Sequence, residues 1–175
     1  MGATCSDLSL RIRPYRPEDA ASLVSLFHRA VHGIGDELYS AKQREAWAPT
    51  PPDGDWWRER LARMQPEVAW VGARVVGFAS LLVTVSGSPR SSLHQGHIDC
   101  LFTHPAFQGQ GVASALLGQL TQQARAKAVA LLTVDASRVA QPFFAARGFE
   151  VVCYNRVPLR GEVLENCSMR RRLTR

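Results

Sequence analysis

The stretch that decides the fold reads Gly96-His97-Ile98-Asp99-Cys100-Leu101-Phe102-Thr103-His104-Pro105-Ala106-Phe107-Gln108-Gly109-Gln110-Gly111-Val112-Ala113. Its first half alternates across an extended strand, with Ile98, Cys100 and Phe102 on one side and His97, Asp99, Leu101 and Thr103 on the other. Pro105 ends the strand, because proline has no N–H to give to a sheet ladder. The alternation therefore predicts a strand that is followed directly by a turn.

A long amphipathic helix follows that turn. Apolar residues recur at helical spacing and form one stripe, made of Val112, Leu116, Leu117, Leu120 and Ala124. The helix should begin near residues 109–111, where its first N–H groups have no intrahelical partner. Because these N–H groups and the helix dipole attract anions, the turn is a candidate cradle for a phosphate or pyrophosphate. The alternative is that Gly109 and Gly111 merely make a tight turn, since their spacing fits neither common nucleotide-binding fingerprint.

The loop of residues 108–113 resembles the Gln/Arg-x-x-Gly-x-Gly/Ala loop of the GNAT acyl-CoA-dependent N-acetyltransferases. Residues 131–134 and the helix that leads to Gly148-Phe149 are similar to the next strand and helix of that superfamily, and residues 10–20 look like its first strand and helix. The resemblance spans nearly the whole chain. It implies an α/β fold in one domain over residues 1–175, with a mixed, mostly antiparallel sheet of about seven strands flanked by helices.

The resemblance also implies that acetyl-CoA is the acyl donor. The residues expected to contact the donor are Leu101, Phe102, Thr103, Gln108, Gly109, Gln110, Gly111, Val112, Ala113, Ser137 and Phe144. In the family, the strand before the loop splays away from its parallel neighbour, and the gap receives the pantetheine arm. Main chain near residues 101–103 would then be exposed, and an N–H group there would polarise the thioester carbonyl.

Transfer to a primary amine needs a base, because the ammonium form has a pKa of about 10. Asp99 lies two residues before Leu101, where many members of the family carry a base glutamate, and His97 is its expected partner or substitute. The alternative is a structural Asp99 that is bonded to backbone or to an arginine.

The leaving thiolate needs a proton, and many family members supply it from a tyrosine where this chain has Phe144. Because phenylalanine has no hydroxyl, Phe144 cannot supply the proton as that tyrosine does. Water, Tyr154 or Tyr39 remain as candidates, or the thiolate leaves unassisted.

The acceptor site is expected in the aromatic stretch of residues 33–57, in which Tyr39 and Trp47 are the predicted substrate-binding residues together with Asp99. The alternative is that these aromatic residues cap the core. An enclosed aromatic pocket favours a small-molecule amine as acceptor. Two other readings stay open: a protein or peptide N-acetyltransferase, and a non-catalytic acyl-CoA-binding module on the same fold.

The composition of the chain narrows the classes of molecule that the protein is expected to bind. The net charge of +6 suits an anionic ligand such as coenzyme A, and no interleaved basic and aromatic motif points to nucleic acid. No apolar run is long enough to cross a bilayer and no signal-like segment is seen, so a cytoplasmic protein without a membrane partner is expected. The four cysteines are scattered without the spacing of metal ligands, so no metal site is expected. Cys100 and Cys153 fall within predicted strands and are expected to be buried free thiols. The edge left by the last strand makes a homodimer reasonable.

The remaining pattern predicts the other elements less firmly. We expect strands at 10–14, 68–71, 75–85, 150–154 and 165–172, helices at 20–31, 56–64 and 139–147, loops at 33–55 and 86–92, and a flexible terminus at 1–9. Arginines 170–172 and Arg175 are expected to form a solvated tail.

Overall fold

The computed structural model describes residues 9–88 and 91–173. In this part of the chain seven strands form one sheet, namely β1 (Leu10–Pro14), β2 (Glu67–Val71), β3 (Arg74–Ser88), β4 (Ser91–Thr103), β5 (Val129–Ser137), β6 (Glu150–Leu159) and β7 (Glu162–Arg172). Their spatial order is β1-β2-β3-β4-β5-β7-β6. Strands β4 and β5 run parallel, and the other neighbours are antiparallel. The predicted mixed, mostly antiparallel sheet is confirmed.

Helices cover both faces of this sheet. They are α1 (Ala20–His32), α2 (Ala41–Trp47), α3 (Gly54–Met64), α4 (Val112–Ala126) and α5 (Gln141–Ala145). Helix α4 packs on one face, where all five residues of its predicted apolar stripe are buried. Helices α1 and α3 pack on the other face around Leu23, Leu61 and Phe78. The strands thus separate two hydrophobic cores, which accounts for the burial of β4 and its neighbours on both sides.

A β-bulge in β4 changes the predicted faces of that strand. Ser80 of β3 pairs with Cys100 while the next residue, Leu81, pairs with Ile98, so that Asp99 is the extra residue. Ile98 therefore packs in the α4 core, whereas Cys100 packs in the α1–α3 core. The prediction that Ile98, Cys100 and Phe102 share one side is wrong for Ile98. The reason is that an inserted residue breaks the two-residue period of a strand.

Several predicted boundaries also need correction. The region 33–55 is not wholly irregular, because it contains α2 and the first turn of α3. Ser40 and Gln43 form a capping box at the start of α2, with each side chain bonded to the other's backbone N–H. Asp53 caps α3 by accepting a hydrogen bond from the N–H of Trp56 at 3.0 Å. Both caps join residues only three positions apart, so they could have been predicted from the sequence alone.

The predicted loop of residues 86–92 is largely strand, since β3 continues to Ser88 and β4 begins at Ser91; residues 89 and 90 lie outside the described residues. Residues 170–172 belong to β7 rather than to a solvated tail, while Arg175 is also outside the described part. Of the predicted flexible terminus at 1–9, residues 1–8 are likewise outside it. The last helix, α5, is shorter than predicted. Cys100 is buried as predicted, but Cys153 is exposed, because it lies on β6 at the edge of the sheet.

Candidate active site

Strands β4 and β5 separate from each other at one end. They pair from His94 to Ile98, opposite Val129 to Val134. Beyond Ile98, the residues up to Thr103 pair with β3, and residues 135–137 of β5 pair with β7. A cavity of about 600 Å³ opens at this fork, lined by residues of both strands. Its size is in the range of small-molecule sites. The splay that the resemblance implied is present.

The walls of this cavity are mainly apolar and aromatic. Helices α1 and α3 and the segments that flank them contribute the aromatic side chains Phe27, Tyr39, Trp47, Trp56 and Trp57, and β4 contributes Phe102. Three prolines, at positions 49, 51 and 52, complete that side. Such a lining can pack against an apolar or aromatic group.

Asp99 lies in the cavity, half-buried, and is bound to an arginine. Arg60 of α3 donates from Nη2 to Asp99 Oδ2 at 2.6 Å. The Arg60 guanidinium lies over the ring of Trp56, 5.4 Å from its centroid. Arg60 was not predicted, because it lies 39 residues away in the chain. Sequence reasoning had left open an arginine partner for Asp99, and the structure identifies it.

The structure does not place His97 beside Asp99. His97 Nδ1 is 2.9 Å from Thr133 Oγ1 on β5, below the fork, and the side chain does not line the cavity. Its geometry supports a bond between β4 and β5 rather than direct contact with an acceptor.

Cys100 follows Asp99 and also lines the cavity. Burial raises the pKa of its thiol to about 12. Its Sγ is 3.2 Å from Ser80 Oγ. Because the thiolate is the nucleophilic form of cysteine, a pKa this high keeps the thiol in its weakly nucleophilic protonated form at neutral pH.

The loop of residues 108–113, where the cradle is predicted, lies at the start of α4. Gly109 and Gly111 have φ angles of 73° and 84°, in the left-handed region that favours glycine. A Cβ atom at either position would meet nothing within 4 Å, so the backbone shape, and not crowding, requires glycine. The first hydrogen bond of α4 runs from Ala115 N–H to the Gly111 carbonyl at 2.9 Å, and no side chain caps the helix. The preceding N–H groups of this turn are therefore available to an anion, so the residues fit a pyrophosphate.

Tyr39 lines the cavity but its hydroxyl is already engaged. It donates to the carbonyl of Glu165 on β7 and accepts from the N–H of Arg138 at 3.0 Å. Burial raises the pKa of this phenol. Tyr39 thus holds the cavity wall in place and is a poor source of a proton for a leaving thiolate.

The other predicted contacts divide into two groups. Trp47, Ser137 and the buried Phe144 line the cavity, as do Leu101 and Phe102. Thr103 does not line it, and neither does Tyr154, which was named as a source of the proton. Its side chain is 73% exposed and its hydroxyl accepts from Gln141 at 3.3 Å.

This geometry agrees with the comparisons with known proteins. Residues 36–163 match the family model described as Acetyltransferase (GNAT) domain. The chain belongs to the GNAT acetyltransferase superfamily. A relative of this GNAT protein is YafP of Escherichia coli (strain K12), an uncharacterized N-acetyltransferase, which is 39% identical over 162 residues, covering 93% of this chain and 95% of YafP.

Solved structures give the same result for this GNAT protein. A GCN5-related N-acetyltransferase from Rhodopseudomonas palustris is 35% identical and superposes with a TM-score of 0.81 over 94% of this chain and 96% of the other. The PaiA N-acetyltransferase from Thermoplasma acidophilum, solved in complex with coenzyme A, is 16% identical with a TM-score of 0.71, over 94% and 99% of the two chains. The protein is therefore an acetyltransferase by family and by fold.

Two features are absent from the described residues. No helix among them is both long and apolar enough to cross a membrane. Within residues 9–88 and 91–173, no three histidine, cysteine or carboxylate side chains come together as a metal site would require.

Proposed function

We propose that this GNAT protein transfers the acetyl group of acetyl-CoA to the amine of a small molecule with an apolar or aromatic body, by direct attack in a ternary complex. The observation that carries the proposal is the aromatic cavity at the β4–β5 fork, with Asp99 on its wall. Complexes of related folds with coenzyme A support acetyl-CoA as the donor. A cytoplasmic location stays a prediction.

Acetyl-CoA would supply the acetyl group as an activated thioester. The N–H groups at the start of α4 would hold the pyrophosphate, and Gly109 and Gly111 allow it to approach the backbone. Main-chain N–H groups of β4 near Leu101 and Phe102, where the strand has separated from β5, would stabilise the developing oxyanion. Ser137 on the opposite side of the fork is a further hydrogen-bonding group for the donor.

Asp99 is the candidate base. Arg60 occupies one carboxylate oxygen, which orients Asp99, and the other oxygen is available to take a proton from the amine directly or through water. Phe144 has no hydroxyl and the Tyr39 hydroxyl is engaged, so the thiolate would take its proton from water. A thiol pKa of about 8.5 makes unassisted departure acceptable.

The first experiment is calorimetric titration with acetyl-CoA. Saturable binding by the wild type and its loss in Gly111→Glu are expected, because the glutamate places a like charge in the anion cradle. Gly161→Glu is the matched control: its φ is 82° and its Cβ would also meet open space, but it lies in the β6–β7 turn. If the two variants weaken binding equally, the proposed cradle is wrong.

The second experiment measures thiol release with a panel of amines. Apolar or aromatic primary amines should be acetylated faster than polyamines and peptides. Asp99→Asn should lower kcat about a hundredfold to ten-thousandfold and leave the affinity for acetyl-CoA unchanged. Peptides that outpace every small amine would contradict the proposed acceptor class.

Two observations favour a second candidate, a non-catalytic acyl-CoA-binding module. The Asp99–Arg60 pair and the absence of a tyrosine at Phe144 are both compatible with binding without turnover. Acetyl-CoA binding by a folded protein that acetylates none of the amines would select this candidate.

A further inference from the structure

The hairpin between β6 and β7 carries an arginine at its turn, and this arginine lines the cavity at the fork. Leu159 pairs with Glu162, so Arg160 and Gly161 form a two-residue turn. Both have positive φ angles, 45° at Arg160 and 82° at Gly161, which is the pattern of a type I′ turn. Asparagine followed by glycine suits such a turn best, and arginine is an unfavourable first residue. The presence of arginine there points to a role of its side chain.

The guanidinium of Arg160 is held in place by a neutral acceptor. Its Nη1 donates to the carbonyl of Ala46 at 2.7 Å. That carbonyl lies in the last turn of α2, where carbonyls have no partner within the helix. The residue as a whole is exposed and lines the cavity together with Leu159. The bond to Ala46 therefore orients the guanidinium and leaves its other N–H groups for a further acceptor.

Arg160 has no carboxylate partner, unlike Arg60, the other arginine of the cavity, which is paired with Asp99. The four carboxylates of the lining each have a partner in the protein, namely Asp53 with the N–H of Trp56, Asp99 with Arg60, Asp135 with the hydroxyl of Ser168 and Glu165 with Arg138. Among the described residues, no carboxylate forms an ion pair with Arg160. A carbonyl does not cancel the charge of a guanidinium, so this charge is available to an anion in the cavity.

We propose that Arg160 binds a carboxylate of the acceptor, so that the acceptor is an amino acid in the broad sense. Its apolar or aromatic body carries both the reacting amine and a carboxylate. This inference rests on the proposed function, since it names the class of the same acceptor.

The cavity offers a separate group for each polar end of such a molecule. Asp99 of β4 is the candidate base for the amine, and Arg160, which is not paired with it, comes from the β6–β7 turn. The rest of the lining is mainly apolar and aromatic, which suits the body of the molecule. One arginine without a carboxylate partner matches the single charge of a carboxylate, whereas a phosphate dianion would keep one charge unpaired in an apolar cavity.

Pairs of amines that differ by a carboxylate provide the test. The pairs are para-aminomethylbenzoate with benzylamine and phenylalanine with phenethylamine, which place the carboxylate at two distances from the amine. Thiol release from acetyl-CoA gives kcat/KM for each amine, and the ratio within a pair is compared between the wild type, Arg160→Asn and Arg156→Gln. Comparing this ratio between proteins cancels any difference in basicity between the two amines.

The two variants are matched to separate binding from folding. Arg160→Asn removes the guanidinium and puts the residue that the turn favours before Gly161, so the hairpin should stay folded. Arg156→Gln removes an arginine of β6 that does not line the cavity. In at least one pair the wild type should prefer the amine with the carboxylate about tenfold, the strength of one charge-assisted hydrogen bond. This preference should be lost in Arg160→Asn, persist in Arg156→Gln and decrease as salt is added.

A role of Arg160 that is only structural would lower kcat/KM for both amines of a pair and leave their ratio unchanged, and this result would overturn the proposal. No preference for the carboxylate in either pair would overturn it as well. Calorimetric titration with acetyl-CoA shows whether each variant is folded, and Arg160→Gln replaces Arg160→Asn if the latter no longer binds.

The same assay separates this inference from the proposed function. If the wild type acetylates members of the earlier amine panel but none of these paired amines, only this inference has failed. If the wild type binds acetyl-CoA and acetylates no amine of either set, the proposed function has failed and this inference with it.

Discussion

Asp19 is a buried carboxylate at the start of α1, 3% exposed. Arg13 of β1 donates to both of its oxygens, at 2.7 and 2.8 Å, and the Arg16 N–H donates to Oδ2 at 2.8 Å. The hydrogen bonds from Arg13 lower the pKa of Asp19 below its usual value. This pair joins the first strand to the first helix.

We predict that Asp19→Asn lowers the free energy of unfolding by about 3 kcal/mol at pH 7, because it leaves a partly buried arginine without its partner. Since the folded-state pKa is depressed, the stabilisation is present above the unfolded pKa of about 4 and is lost as the pH falls through the folded value. Urea unfolding of both proteins between pH 2 and 7 measures it. Asp55→Asn, at an exposed ion pair with Arg58, should stay close to wild type. A difference that does not depend on pH would contradict this account.

At the scale of single residues, sequence reasoning found the carboxylate and missed its partner. Asp99 is conspicuous as a charge on a mostly apolar strand, and the structure puts it in the cavity. Arg60 sits on a helix whose side-chain directions depend on how α3 packs against β4, which no local pattern encodes. His97 has the expected strand position but contacts Thr133, because β5 lies directly beside it.

Among the elements, α4 has an interior glycine, Gly118, at which a Cβ would meet nothing within 4 Å. We predict that Gly118→Ala raises the free energy of unfolding by about 0.5–1 kcal/mol, since alanine restricts the unfolded chain and the new methyl group meets open space. Thermal unfolding measures the gain.

Gly77→Ala provides the contrast for that prediction. A Cβ at Gly77 would come within 2.8 Å of Val112 Cγ1 and 3.0 Å of the Phe102 carbonyl oxygen, so this variant should be destabilised. Equal effects of the two substitutions would show that the packing around α4 differs from the one described.

Elements in which apolar residues repeat with a clear period were predictable from the sequence. Features that depend on the pairing or packing of neighbouring elements were not. The apolar stripe of α4 repeats over four turns, and the structure buries all of it. The bulge at Asp99 depends on the register between β3 and β4, which the sequence of β4 alone does not contain. Helix α2 was overlooked because it is short and lies among turn residues, although its capping box was visible.

On the scale of the whole molecule, the Tyr39 hydroxyl connects parts of the chain that are far apart in sequence. It bridges the Glu165 carbonyl on β7 and the Arg138 N–H after β5. We predict that Tyr39→Phe lowers the free energy of unfolding by about 2 kcal/mol, because two backbone groups lose their partner. Urea unfolding is the measurement, and Tyr154→Phe, at an exposed hydroxyl, is the control expected to change little. Equal losses in both would argue against a bridging role.

The mixed, mostly antiparallel sheet of about seven strands and the fork between β4 and β5 were predictable as a family resemblance, and the structure agrees. The side chains that line the cavity were less predictable. Aromatic residues of the 33–57 region were expected at the acceptor site, but their arrangement follows from α2 and α3, which bring Trp47 and Trp57 to the fork from separate segments.

The fork also affects how strongly the two halves of the sheet are held together. Main-chain pairing between the half-sheet β1–β4 and the half-sheet β5–β7 extends over five positions of β4, from His94 to Ile98, and then stops. A force that pulls the two halves apart would break the hydrogen bonds between β4 and β5 in order, beginning at the fork next to Ile98. A donor lying in the gap would span the seam and bind both halves. An occupant of the proposed site would therefore also stiffen the sheet as a whole.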